Sequence, residues 1–185
     1  MMQDYGSEEL SVMLCRMVTL TYTRYKNGMD HTLKEQGLTM EQYLVLVNIR
    51  YNNAPMRITD LANWLERSTN SMSMLVDRMV KAGLLSRVRA KRDRRVVNVF
   101  LTSKAEAALE QASPVAWEFM QLTMSPLSYE DKRTFADLFK TINCKLLEYL
   151  NPGLDAEGML ERDFKRRDYV MKMWRTQVQL ATPKV

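Results

Sequence analysis

The chain has 185 residues, 46% of them hydrophobic and 26% charged, with a formal net charge of +5. That is one folded domain with room for an appendage, long enough to bury a real core. No apolar run approaches the roughly 20 residues of a membrane span. No basic, apolar leader opens the sequence, and Cys15, Cys144 and the single His31 are too scattered for a zinc site. No metal or other cofactor is therefore expected, and the expected setting is the cytoplasm, with both thiols reduced.

Taken in chain order, Leu10, Met13, Leu14, Met17, Val18, Tyr22 and Tyr25 recur in steps of three and four, which predicts an amphipathic helix over 8–27. Gly37 is a turn residue, and Thr39 with Gln42 three positions on forms a capping box for a helix from Met40 to about Tyr51. That helix is apolar over much of its surface (Tyr43, Leu44, Leu46, Val47, Ile49) and should be central. Asn52-Asn53-Ala54-Pro55 ends it.

Ile58, Leu61, Ala62 and Leu65 then predict a two-turn helix. Glu66-Arg67-Ser68 reads as a tight turn, with Ser68 or Thr69 as the next N-cap. Met72, Leu75, Val76 and Met79 form the buried face of a second helix, with Lys81 in its last turn and Gly83 as its C-cap. Two short helices joined by a three-residue turn have helix-turn-helix spacing.

Leu84–Arg89 and Val96–Leu101 read as the strands of a hairpin. Between Arg87 and Arg95 the sequence places six cations (Arg87, Arg89, Lys91, Arg92, Arg94, Arg95) and one acid, Asp93, a local excess equal to that of the whole chain. Charge concentrated in one place points to a polyanionic partner. Thr102 or Ser103 opens a further helix, with Glu106 completing a box to Ser103, and Pro114 should kink or interrupt it. A last long helix starts at Ser128 with the stripe Phe135, Leu138, Phe139, Ile142, Leu146, Tyr149 and Leu150. Asn151-Pro152-Gly153 breaks it. A second stripe follows at Leu160, Phe164, Met171, Trp174 and Val178, with cations on its other side, and should dock on its own domain or on a second copy.

This order resembles the MarR family of winged-helix regulators. The residues that carry the resemblance are Gly37-Leu38-Thr39 with Gln42; Ile58, Leu61 and Ala62; Leu75-Val76-Asp77-Arg78-Met79 with Ala82-Gly83-Leu84; and Asp93-Arg94-Arg95 followed by Leu101-Thr102. It covers roughly residues 8 to 150. It implies a mainly α fold with a small β-hairpin wing: a dimerisation helix (1–36), a winged helix-turn-helix DNA-binding domain (37–102), C-terminal dimerisation helices (103–150) and a helical extension (151–185). Three features depart from the family pattern: Met74 where Arg is usual, Ala105 where Gly follows the wing, and about 35 residues beyond the usual end.

The chemistry concentrates in two places. Thr69, Asn70, Ser73, Met74, Asp77 and Lys81 share the polar face of the second helix, whose N-terminal side chains, with Ser68 and Ser71, are candidates for base edges in a major groove. Met74 suits a thymine methyl, and Arg78 and Lys81 suit phosphates. An ordinary solvated surface explains this helix alone equally well. The hairpin decides between them, because a narrow cationic tip fits the minor groove. The resemblance gives that role to Asp93 and Arg95, leaving Lys91, Arg92 and Arg94 for phosphates.

These features point to a homodimeric repressor on double-stranded DNA with a palindromic operator; the alternatives are a redox- or ligand-switched sensor of the same family and a winged-helix protein-interaction module without operator binding. No enzyme is expected: no glycine-rich phosphate loop and no nucleophile with a nearby base stands in the sequence. A small apolar or aromatic effector would suit Met13, Met17, Tyr43 and Trp64, although such sets more often form core. Cys15 is the candidate redox residue. A peroxide-sensing branch of the family carries a reactive Cys on its first helix, with tyrosines where this chain has Thr19, Met29 and Met40, so a buried, inert thiol is the preferred reading.

Overall fold

The computed structural model describes residues 6–51, 56–89, 97–153 and 155–181. Helix α1 (Ser7–Thr32) leads through a 3₁₀ turn (Lys34–Gln36) to α2 (Met40–Tyr51). Strand β1 (Met56–Arg57), α3 (Ile58–Trp64), α4 (Thr69–Lys81), β2 (Leu85–Arg89) and β3 (Val97–Leu101) form the winged unit. Helices α5 (Ser103–Met124), α6 (Tyr129–Leu150) and α7 (Ala156–Ala181) complete the chain.

The core lies around α2, which buries Tyr43, Val45, Leu46, Val47 and Tyr51. Leu61 from α3, Met72, Leu75, Val76 and Met79 from α4, Val99 from β3 and Ala105, Leu109, Ala112 and Ala116 from α5 close over it. The Thr39 box forms as expected: the Gln42 amide donates to Thr39 Oγ1 at 3.3 Å, and the Thr39 amide donates to Gln42 Oε1 at 2.9 Å. Asp30 of α1 adds a second cap, accepting the Met40 amide at 2.6 Å and Lys26 Nζ at 2.8 Å. Desolvation acts to raise the Asp30 pKa, but the two hydrogen bonds and the Lys26 charge outweigh it and hold the carboxyl below its ordinary value.

Four expectations change in the structure. First, α1 runs on to Thr32 and buries Met29, although Gly28 stands inside it. A Cβ on Gly28 would lie 2.7 Å from Phe119 Cζ, and that ring packs against Tyr25 at 5.4 Å between centroids. Glycine is kept here for the close crossing of α1 and α5. In Gly28→Ala the helix-propensity gain of about 1 kcal/mol should be outweighed by overpacking, which costs about 1–3 kcal/mol. A denaturant titration should show a net loss of stability, and a gain would show that the crossing can open at no cost.

Second, the wing is a three-stranded antiparallel sheet in the order β1-β3-β2, with Met56 opposite Val99 and Arg87 opposite the same residue on the other side. Third, the box at the start of α5 differs: Thr102, one of the two expected openers, is the N-cap, accepting the Ala105 amide at 3.2 Å and donating to the Gly83 carbonyl at 2.7 Å. Glu106 makes no box with Ser103. Its carboxylate takes Arg50 Nη1 of α2 at 2.9 Å. Fourth, Pro114 does not interrupt α5, which is continuous from Ser103 to Met124.

Two faces stay uncovered. On α1, Val12, Leu14, Met17, Val18, Leu20 and Tyr22 are exposed; on α6, so are Phe135, Leu138, Ile142, Leu146, Tyr149 and Leu150. No residue of α6 is buried. The extension α7 packs against α2, α5 and α6 through buried Ala156 and Leu160, so it docks on its own chain. Phe164 is exposed, and the rest of that stripe (Met171, Trp174, Val178) lies outside the described side chains.

Candidate nucleic-acid interface

Helix α4 is built to show one face. Met72, Leu75, Val76 and Met79 pin it to the core. Ser68 caps it as expected: its hydroxyl oxygen accepts the Ser71 amide at 3.2 Å, and its hydroxyl meets the Ser71 hydroxyl at 2.9 Å. Both serines are thus engaged in starting the helix, which leaves Thr69, Asn70 and Met74 as the freely exposed groups of the first turns. Met74 is 67% exposed on this face. Ser73 is half-buried, while Asp77, Arg78 and Lys81 continue the solvent face.

The turn before α4 is tightly specified. Glu66 takes a left-handed φ of +51°. The Arg67 amide returns to the Ala62 carbonyl at 2.9 Å and the Glu66 amide to Asn63 at 3.3 Å, a Schellman closure made without glycine. The Arg67 guanidinium pairs with Glu41 in the first turn of α2, fixing the turn to the central helix. At the far end, Gly83 (φ +73°) closes α4 in the same way, with the Leu84 amide on the Met79 carbonyl at 2.9 Å.

The hairpin begins beside this helix. On β2, Arg87 and Arg89 are exposed, and Arg87 reaches across to Asp77. The tip residues Lys91, Arg92, Asp93, Arg94 and Arg95 lie outside the described residues. Strands β2 and β3, on either side of them in the sequence, are in register from Leu85↔Leu101 to Arg89↔Val97.

Sequence reasoning left Asp77 and Arg87 unpaired, because their contact joins a helix to a strand ten residues on. Of the effector candidates, Tyr43 is core and Met17 is exposed, and a cavity of about 80 Å³ is lined by Tyr22, Lys26, Met40, Glu41, Leu44, Leu65, Arg67 and Leu75. That volume is well under the roughly 300 Å³ at which small-molecule pockets begin. Among the described residues no cluster of His, Cys, Asp and Glu could hold a metal, and no helix is long and apolar enough to cross a membrane.

Cys15 is exposed on α1, not buried, because the face that carries it is uncovered in a single chain. The Thr19 hydroxyl beside it is spent on the Cys15 backbone carbonyl at 3.2 Å, and Met29 is core. Neither supplies a donor to a thiolate. Cys15→Ser should therefore bind DNA like the wild type, and peroxide should not release the wild-type protein. Release by organic peroxide that the Ser variant resists would make Cys15 a sensor.

Residues 38–97, which span α2, the helix-turn-helix and the hairpin up to β3, match the model of the MarR family. Residues 38–97 are a MarR-family domain. It is similar to the HTH-type transcriptional repressor MdtR of Bacillus subtilis, at 23% identity over 60% of this chain and 70% of the relative. It is also similar to the transcriptional repressor MprA of Escherichia coli, at 21% identity over 85% of this chain and 89% of the relative. A mutant MarR from E. coli complexed with operator DNA superposes with a TM-score of 0.67 at 22% identity, covering 75% of this chain and 99% of that one. With this domain, the chain is a DNA-binding transcription regulator.

Proposed function

We propose that this MarR-family chain is a cytoplasmic homodimer that binds a palindromic operator and acts as a repressor by blocking promoter access. The observation that carries the reading is the polar face of α4, held outward by four buried anchors and lying beside β2, after which the sequence runs into Lys91, Arg92, Arg94 and Arg95. Thr69, Asn70 and Met74 would meet base edges in the major groove, with Ser68, Ser71 and Ser73 at the helix start and Arg78 and Lys81 on phosphates. Arg95, aimed by Asp93, would enter the minor groove, with Lys91, Arg92 and Arg94 on the backbone. The similar repressors MdtR and MprA, and the fold shared with a mutant MarR complexed with operator DNA, support this. The exposed stripes of α1 and α6 are the faces a two-fold dimer would bury. Its two half-sites should lie about one helical turn, roughly 10 bp, apart.

Footprinting on the DNA upstream of the gene tests the reading: two protected half-sites support it, and a single half-site or none rejects it. Arg95→Ala should cost about 1–3 kcal/mol of specific binding at fixed salt without unfolding the protein. Unchanged operator affinity would remove the hairpin from the interface.

A further inference from the structure

A carboxylate stands on the solvent face of α4, where the reading above brings DNA. Duplex DNA carries about one negative charge per 1.7 Å of axis, so an unpaired Asp77 would oppose binding. It is not unpaired. Arg87 Nη1 donates to Asp77 Oδ1, and Arg87 Nη2 lies 3.5 Å from the Ser73 carbonyl oxygen. Arg87 rises from β2 opposite Val99, which is fully buried. Strand alternation puts Arg87 on the side of buried Leu85, towards α4. Its guanidinium thus occupies the seam between the recognition helix and the wing.

A helix in the major groove and a hairpin in the adjacent minor groove must straddle the phosphate strand that separates the two, and that strand would cross this seam. A guanidinium has five N–H donors. Two face Asp77 and Ser73, and three remain. We propose that Arg87 binds the phosphate between the two grooves and that Asp77 is its positioning residue, holding the fork open towards the backbone. The inference rests on the DNA-binding reading. It adds to that reading one residue, Arg87, that neither the α4 face nor the wing tip supplies, and a role for Asp77 on the α4 face.

The sign of one substitution separates positioning from bulk charge. Asp77→Asn removes a negative charge facing DNA, so charge alone predicts tighter binding, whereas loss of aim predicts weaker binding. The pair is partly exposed, at 31% for Arg87 and 52% for Asp77, so its loss should cost the fold little, and matching thermal melts verify this. The probe is a mixed-sequence duplex of about 30 bp, long enough for two half-sites a turn apart, titrated by anisotropy over a range of salt.

Arg87→Ala should bind about tenfold more weakly and lower the salt-dependence slope by about one. Asp77→Asn should weaken binding with the slope nearly kept, Asp77→Glu should recover part of the loss, and Arg87→Lys should keep the slope but not the affinity. The Asp77→Asn, Arg87→Ala double variant should be no worse than Arg87→Ala alone. Tighter or unchanged binding by Asp77→Asn overturns the positioning role, and an unchanged slope in Arg87→Ala overturns the phosphate contact. A wild-type protein that binds no duplex overturns the DNA reading itself, and the inference with it.

Discussion

Leu146→Glu is expected to abolish dimerisation and with it operator binding. Leu146 is exposed on α6, midway along a row that runs from Phe135 to Leu150. None of the 22 residues of this helix is buried in a single chain, so packing there stabilises it little, and the row on α1 is equally bare. The two faces together are far more apolar than a monomer's surface usually allows. A second copy that covers them must desolvate whatever stands at position 146, and an unpaired carboxylate there costs several kcal/mol.

The effect on DNA is larger than the effect on either interface. Two linked recognition helices gain about 10²–10⁴ over one through effective concentration. A monomer forfeits that factor without losing a single DNA contact. Light scattering at micromolar concentration should report a monomer, and an operator titration should report a loss of that order. A variant that stays dimeric and binds normally would show that the α6 face is covered by something other than a second copy.

The parts of the molecule that were readable in the sequence are those whose cause is local. The Thr39–Gln42 box, the Ser68 cap, Gly37 and Gly83 with positive φ, and the four-residue anchor of α4 each lie within a few positions of one another. What escaped is what distant segments impose. The two residues of β1 are too few for any period-two signal, and they pair only because β3 passes beside them. Glu106 looked like a capping group for its own helix, but Arg50, 56 positions away, takes it. The helix expected over 8–27 continues to Thr32 through Gly28, whose missing Cβ leaves room for Phe119 of a distant helix. Pro114 stays inside α5, where it removes one backbone donor, because the buried neighbours Ala112, Ser113 and Ala116 hold that stretch against the core. In the candidate interface, the face of α4 was legible from its amphipathic pattern, whereas the Asp77–Arg87 pair needed the fold of the hairpin over the helix.

The same division fixes what mutation of α4 should do. Met79 is fully buried and is the last of the four anchors that hold the helix. Met79→Ala removes that contact and leaves a cavity, at about 2–5 kcal/mol, or a melting temperature lowered by roughly 4–20 °C for a chain of this size. Its cost falls on every state that contains the folded domain, bound or free, so well below the melt the surviving folded protein should bind its operator with nearly wild-type affinity. Asn70→Ala should do the reverse. The side chain is exposed, so stability should move by no more than about 0.5 kcal/mol, while a lost base contact would cost about 1–3 kcal/mol of specific binding. Thermal melts paired with operator titrations of both variants would separate the two faces. If Met79→Ala melts like the wild type, the helix is not held as described; if Asn70→Ala binds like the wild type, its polar face is solvent surface and the specificity lies elsewhere.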